Sequence, residues 1–172
     1  MALNVEIKAR ARDFLYQRKR AETLAEQPPQ CLIQEDIFFR AAKGRLKLRI
    51  LGPHVGELIA YQRPDQATAK TSAYEIFGTA DPERLRLTLS AALTTEGMVR
   101  KRRWLYRYGQ ARIHFDEVEG LGAFIEVEVV LREGQCPWEG YALAQSLMAH
   151  LGIGQEDLID VAYIDLLRGI HP

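Results

Sequence analysis

The chain has 172 residues, 47% of them apolar, with 23 Lys and Arg balancing 23 Asp and Glu. That length can bury one core, the composition excludes a disordered chain, and zero net charge excludes a global basic field aimed at nucleic acid or anionic lipid. No apolar run approaches the roughly 18 residues that span a bilayer, and Met1 to Arg10 holds no apolar stretch of signal-peptide length, so the expectation is a cytoplasmic protein with one domain over residues 1–172.

Period-two alternation dominates from the start. Leu3 to Ala11 puts Asn4, Glu6, Lys8 and Arg10 on one face and Val5, Ile7 and Ala9 on the other. Asp13 caps a predicted helix running to about Glu26, and Pro28 and Pro29 end it in a turn. A strand follows over Leu32 to Arg40, carrying Asp36. Gly44 to Leu51 sets Arg45, Lys47 and Arg49 against Leu46, Leu48 and Ile50. Glu57 to Arg63 is the next strand, and the polar stretch from Arg63 to Thr71, with Pro64, reads as a loop. Ser72 to Phe77 is a strand on which Ser72 and Tyr74 point inward. Asp81 with Pro82 opens a helix through Leu85, Leu89 and Leu93. Three more strands cover Met98 to Tyr108, Arg112 to Val118 and Ala123 to Leu131; the last two align Arg112, His114 and Asp116, then Glu126 and Glu128. Helices are predicted for Trp138 to Leu151 and Glu156 to Arg168. Strands in clusters with interspersed helices define an α+β chain. Cys31 and Cys136 form no CxxC pair and read as two free thiols.

A half-exposed sheet also alternates apolar with charged residues, and for any one strand that bland reading is preferable. It weakens as strands accumulate. One strand reads RxKxR, another KxR, and the next-to-last and last carry acidic positions. A solubility surface does not sort sign by strand. If the sheet closes, the helices cover apolar outer faces and the charges line an interior. Burying them is costly unless they pair or hold a guest. The natural guest is a polyanion gripped by Arg and Lys, with a divalent ion relieving the carboxylates. Oxygen-only ligands favour Mg²⁺ or Mn²⁺ over Zn²⁺.

Several runs carry a resemblance: Asn4-Val-Glu-Ile-Lys8, Gly44-Arg-Leu-Lys-Leu-Arg49, Tyr61-Gln-Arg-Pro-Asp65, Arg100-Lys-Arg-Arg103, Arg112-Ile-His-Phe-Asp116, Glu119 to Glu128, and Tyr163-Ile-Asp-Leu-Leu167. The chain resembles the CYTH superfamily, the triphosphate tunnel metalloenzymes, which include class IV adenylyl cyclases, thiamine triphosphatases and inorganic triphosphatases. It is most similar to the class IV adenylyl cyclase-like branch. The resemblance implies a closed antiparallel eight-stranded β-barrel, a tunnel, with helices packed outside. It implies that Lys8, Arg45, Lys47, Arg49, Arg63, Lys101, Arg103 and Arg112 bind phosphates. It implies Mg²⁺ or Mn²⁺ on Glu6, Glu126 and Glu128, with Asp116 nearby. Asn4 stands where the family's ExExK motif has its first Glu, which leaves one metal or two as open alternatives.

The implied reaction is conversion of ATP to cyclic AMP and pyrophosphate, with Lys8, Arg112, His114 and Asp116 as the catalytic set. His114 is a base or a phosphate donor on this reading, and a structural histidine on the other. The alternatives are a triphosphatase acting on thiamine triphosphate, nucleoside triphosphate or inorganic triphosphate, and a nucleotide- or polyphosphate-binding module without turnover. RNA binding is disfavoured by the neutral charge and the lack of an RNP-like aromatic motif. The expected partner is therefore a small-molecule triphosphate, with no nucleic acid and no membrane. An unpaired sheet edge would allow a homodimer.

Overall fold

The computed structural model describes residues 2–62 and 70–169, with the side chains of Ala2 and residues 70–72 left aside. Eight strands form: β1 (Ala2–Arg10), β2 (Gln30–Phe39), β3 (Arg45–Gly52), β4 (Val55–Gln62), β5 (Lys70–Thr79), β6 (Thr95–Tyr108), β7 (Ala111–Val118) and β8 (Gly122–Val130). All pair antiparallel and close in the order β1-β5-β4-β3-β2-β6-β7-β8. Closure leaves no unpaired strand edge among the described residues, so the edge invoked for a homodimer is absent. Helices α1 (Phe14–Glu22), α2 (Pro82–Ala92), α3 (Pro137–His150) and α4 (Tyr163–Leu167) pack on the barrel.

The alternation seen in the sequence decides what faces where. Val5, Ile7, Ile113, Phe115, Ile125 and Val127 point outward from β1, β7 and β8 and are at most 2% exposed, under Ala21 of α1 and Ala144 and Leu147 of α3. Each such large apolar side chain contributes about 1.5–3 kcal/mol of burial. A second cluster puts Ile37, Phe39 and Leu48 beneath Leu85 and Leu89 of α2 and the following Leu93. Tyr106 lies in the outer core edge-on to Phe115, with its hydroxyl donating to Glu22.

Two predicted helices come out differently. The first stops at Glu22 rather than near Glu26, because Leu24 and Ala25 bond back to Ala21 and the Glu26 amide donates to Arg107 on β6. The stretch from Glu156 to Arg168 is not one helix. It is a 3₁₀ turn at Gln155–Asp157, an extended piece, and α4. The extended piece pairs with backbone of β1. Further along β1 than the described β1–β5 pairs, the Lys8 carbonyl accepts the Ile159 amide at 2.9 Å, beside a bridge between Ala9 and Leu158. The chain then crosses one end of the barrel. Phe38, Val99, Val118 and Phe124 pack there against Tyr163 and Ile164.

Gly97 lies beside the irregularity where β6 meets Phe38 and Phe39, with φ +149°. A Cβ there would stand 2.6 Å from Ile164 Cδ1. Gly97→Ala therefore combines a disfavoured backbone with pressure on the segment that closes the barrel. It should lower unfolding stability by about 1–3 kcal/mol, read from the denaturant midpoint. Cys31 and Cys136 are free and exposed. No described helix is long and apolar enough to cross a membrane.

Candidate functional site

The barrel encloses a cavity of about 440 Å³, lined by the inward positions of the strands and by Ala162 and Tyr163. Its chemistry comes in layers. On neighbouring strands β3, β2 and β6, Asp36 gathers three cations. Lys47 Nζ and Lys101 Nζ each donate to Asp36 Oδ2 at 3.0 Å, and Arg49 binds in a fork, Nε to Oδ1 at 2.8 Å and Nη2 to Oδ2 at 2.9 Å. The three cations hold Asp36 well below the usual carboxylate range, against the opposing pull of its complete burial. With all three cations protonated, one carboxylate leaves this layer two positive charges in excess, which suits a polyanion.

Arg103 forms a second fork. Nε donates to Asp116 Oδ1 at 2.7 Å and Nη2 to Asp116 Oδ2 at 2.6 Å, with Nη2 also 3.1 Å from Glu126 Oε2. The Tyr163 hydroxyl donates to Asp116 Oδ2 at 3.0 Å, and its ring lies 4.2 Å from Lys8 Nζ. Asp116 keeps its charge despite full burial because Arg103 stands against it. Burial and then Asp116 push the Tyr163 phenol well above its ordinary range, so it remains a donor.

The wall formed by β7, β8 and β1 is acidic. Glu6 and Glu128 are direct cross-strand partners, and Glu126 stands two positions along β8 from Glu128. Burial first, then Glu126 and Glu6, push the Glu128 carboxyl up. Asn4 Nδ2 donates to Glu128 Oε1, Arg112 Nη1 lies 3.5 Å from Glu128 Oε2, and Asn4 Oδ1 is buried without a hydrogen-bond partner. Mutually repelling carboxylates beside an unsatisfied amide oxygen fit a hard cation. Among the described residues, no three acidic, His or Cys side chains already converge on one metal-sized point.

The structure thus brings Glu6, Lys8, Lys47, Arg49, Lys101, Arg103, Arg112, His114, Glu126 and Glu128 around one cavity. Two sequence-predicted residues, Asp116 and Arg45, stand apart. Asp116 is 0% exposed, behind Arg103 rather than on the cavity surface. Arg45 turns from the cavity to a bidentate pair with Asp165, at 3.2 and 2.6 Å. Arg63 lies outside the described residues, as do the side chain of Ser72 and most of the expected 63–71 loop. Tyr74 does line the cavity. Sequence reasoning missed Gln34 as a lining residue, although its parity with Asp36 on β2 marked it as inward. It also placed Tyr163 on a helix and gave it no role.

Lys101 supplies a pH test. Burial, then repulsion from Arg103, Arg49 and Lys47 against the pull of Asp36, brings its pKa down to about 7. The unfolded chain then binds more protons than the folded one between about pH 7 and 10.5, so this group makes the unliganded protein more stable as pH rises through that window. A polyanion favours the protonated amine. Affinity for inorganic triphosphate should fall as pH rises through about 7, by up to roughly tenfold per unit once the ligand's own titration is subtracted. Lys101→Met should flatten that slope in a calorimetric titration; an unchanged slope would contradict the assignment.

An antiparallel eight-stranded tunnel lined this way is the triphosphate tunnel fold. Residues 2–163 match the CYTH domain, and the chain belongs to the CYTH family. A protein of Pyrococcus horikoshii superposes with a TM-score of 0.82 at 25% identity, over 95% of this chain and 98% of that one. A Vibrio parahaemolyticus protein provisionally named an adenylate cyclase gives 0.80 at 16% identity, over 96% and 98%. A Hippeastrum protein provisionally named an adenylyl cyclase, with a dominant triphosphatase activity, gives 0.68 at 14%, over 98% and 96%. No curated protein matches by sequence.

Proposed function

We propose that the chain is a metal-dependent triphosphate-processing enzyme that cyclises ATP to cyclic AMP and pyrophosphate. The observation that carries it is the excess of cations around Asp36 facing, across one cavity, a wall of repelling carboxylates. Lys8, Lys47, Arg49, Lys101, Arg103 and Arg112 bind the phosphates. Asp116 positions Arg103 from behind. Glu6, Glu126 and Glu128, with Asn4 Oδ1, hold Mg²⁺ or Mn²⁺. When bound, that cation neutralises phosphate charge and polarises phosphorus.

His114 supports cyclisation over simple grip. It lines the cavity, and Nδ1 is buried without a partner. Burial, then Arg103, holds its pKa well below the ordinary value, so the ring is neutral and can accept a proton. In the proposed step the ribose 3′-oxygen bonds to the α-phosphorus as the bond from that phosphorus to the bridging oxygen breaks. The hydroxyl proton passes to His114 Nδ1, and the electron pair leaves on pyrophosphate, whose charge the Arg and Lys groups stabilise. Glu126 and Asp116 partly offset the burial and the Arg103 charge that disfavour the resulting imidazolium.

Hydrolysis is the second reading. The i, i+2 pair Glu126 and Glu128 leaves one carboxylate able to take a proton from an attacking water, and the raised Glu128 carboxyl is the more basic. A product assay with ATP, thiamine triphosphate and inorganic triphosphate, with Mg²⁺ or Mn²⁺, separates the readings. Cyclic AMP with pyrophosphate supports cyclisation, and orthophosphate supports hydrolysis. Binding without product would leave the protein a triphosphate-binding module and sink both.

A further inference from the structure

Beyond the cation layer the two halves of the cavity wall diverge. On β3, β2 and β6 the inward series passes from charge through one leucine each. It passes from Lys47 and Arg49 to Leu51, from Asp36 and Gln34 to Leu32 and then Gln30, and from Lys101 and Arg103 to Leu105 and then Arg107. These strands are neighbours, and the three leucines step diagonally across them, with Arg103 opposite Leu32 and His114 opposite Leu105, as one apolar strip away from the Tyr163 end. The facing strands keep Arg112, Glu128 and Asn4. Gln34 lies where strip and cation layer meet. It is 4% exposed, and its Oε1 has no hydrogen-bond partner.

Free triphosphate uses neither feature. Its oxygens accept hydrogen bonds, so they have little to give an amide oxygen, and they gain nothing from hydrocarbon. A buried acceptor left unpaired is costly, and a donor from a bound molecule relieves it. We propose that the tunnel selects a triphosphate ester over inorganic triphosphate. The ester's organic group lies on Leu32, Leu51 and Leu105 and donates an N–H or O–H to Gln34 Oε1. This rests on the reading of the tunnel as a triphosphate site and adds which residues choose the substrate.

The test is calorimetric binding of ATP, the other nucleoside triphosphates, thiamine triphosphate and inorganic triphosphate to the intact protein with Mg²⁺. At least one ester should bind roughly tenfold or more tighter than inorganic triphosphate. Gln34→Met keeps the shape and loses the acceptor. It should weaken that ester roughly tenfold and leave inorganic triphosphate within about twofold. Leu32→Ser, at a half-buried position, should shift the same ratio in the same direction if Gln34→Met does not fold. Inorganic triphosphate binding as tightly as every ester, or both variants weakening all ligands alike, overturns the proposal while the triphosphate site stands. No binding by any triphosphate overturns both.

Discussion

Arg103→Met is expected to lower the unfolding free energy by about 3–5 kcal/mol, because it strands a buried carboxylate. Asp116 is 0% exposed, and the Arg103 fork engages both of its oxygens. With the guanidinium gone, only the Tyr163 hydroxyl and more distant cations face that charge. Arg103 now holds the Asp116 pKa below the ordinary value; its loss moves that pKa up. The variant should therefore regain stability as pH falls through the raised value, the reverse of the wild-type contribution, which is lost as pH falls. Triphosphate affinity should also fall by roughly 10- to 100-fold, the worth of charge-assisted contacts. Adding Asp116→Asn separates the two effects. The double variant should recover much of the stability and none of the affinity. Recovery of both would make Arg103 structural only.

Glu128→Gln is expected to reduce Mg²⁺-dependent turnover by at least roughly 100-fold while leaving the fold as stable as before or slightly more so. The second half follows from the sign of its shift. The folded-state pKa of Glu128 lies above its ordinary value, so ionised Glu128 costs stability at neutral pH, and that cost vanishes below the ordinary carboxylate range. A neutral amide removes the cost. Asn4→Glu is the companion change. It adds a carboxylate beside Glu128, so it should destabilise the metal-free protein and tighten Mn²⁺ binding roughly tenfold, read by paramagnetic resonance. An unchanged Mn²⁺ affinity would place position 4 outside the metal's ligands.

Strand positions and inward faces were largely legible, because a period of two ties each charged residue to the face of its neighbours two positions away. Lys47 and Arg49, or Glu126 and Glu128, could not be separated without breaking the strand. What parity does not give is depth along the barrel. Arg45 shares the face of Lys47, yet it lies at the closing end, where Asp165 captures it. Asp116 shares the face of His114, yet it is walled off by Arg103 and Tyr163. Both outcomes depend on the last segment, which reads as helix in sequence. Its conformation includes backbone pairing with Lys8 and Ala9 of β1, a tertiary fact that no local window contains. The resemblance supplied the list of phosphate-binding residues. The three-to-one gathering of cations on Asp36 came from the structure.

The central claim is that the barrel interior takes a triphosphate and a divalent ion together. A crystal structure with Mn²⁺ and a non-hydrolysable ATP analogue tests it most directly. The account predicts phosphate oxygens against Lys47, Arg49, Lys101 and Arg103, and an anomalous manganese peak against Glu6, Glu126 and Glu128. Phosphates bound elsewhere on the surface, or manganese away from that wall, would contradict it.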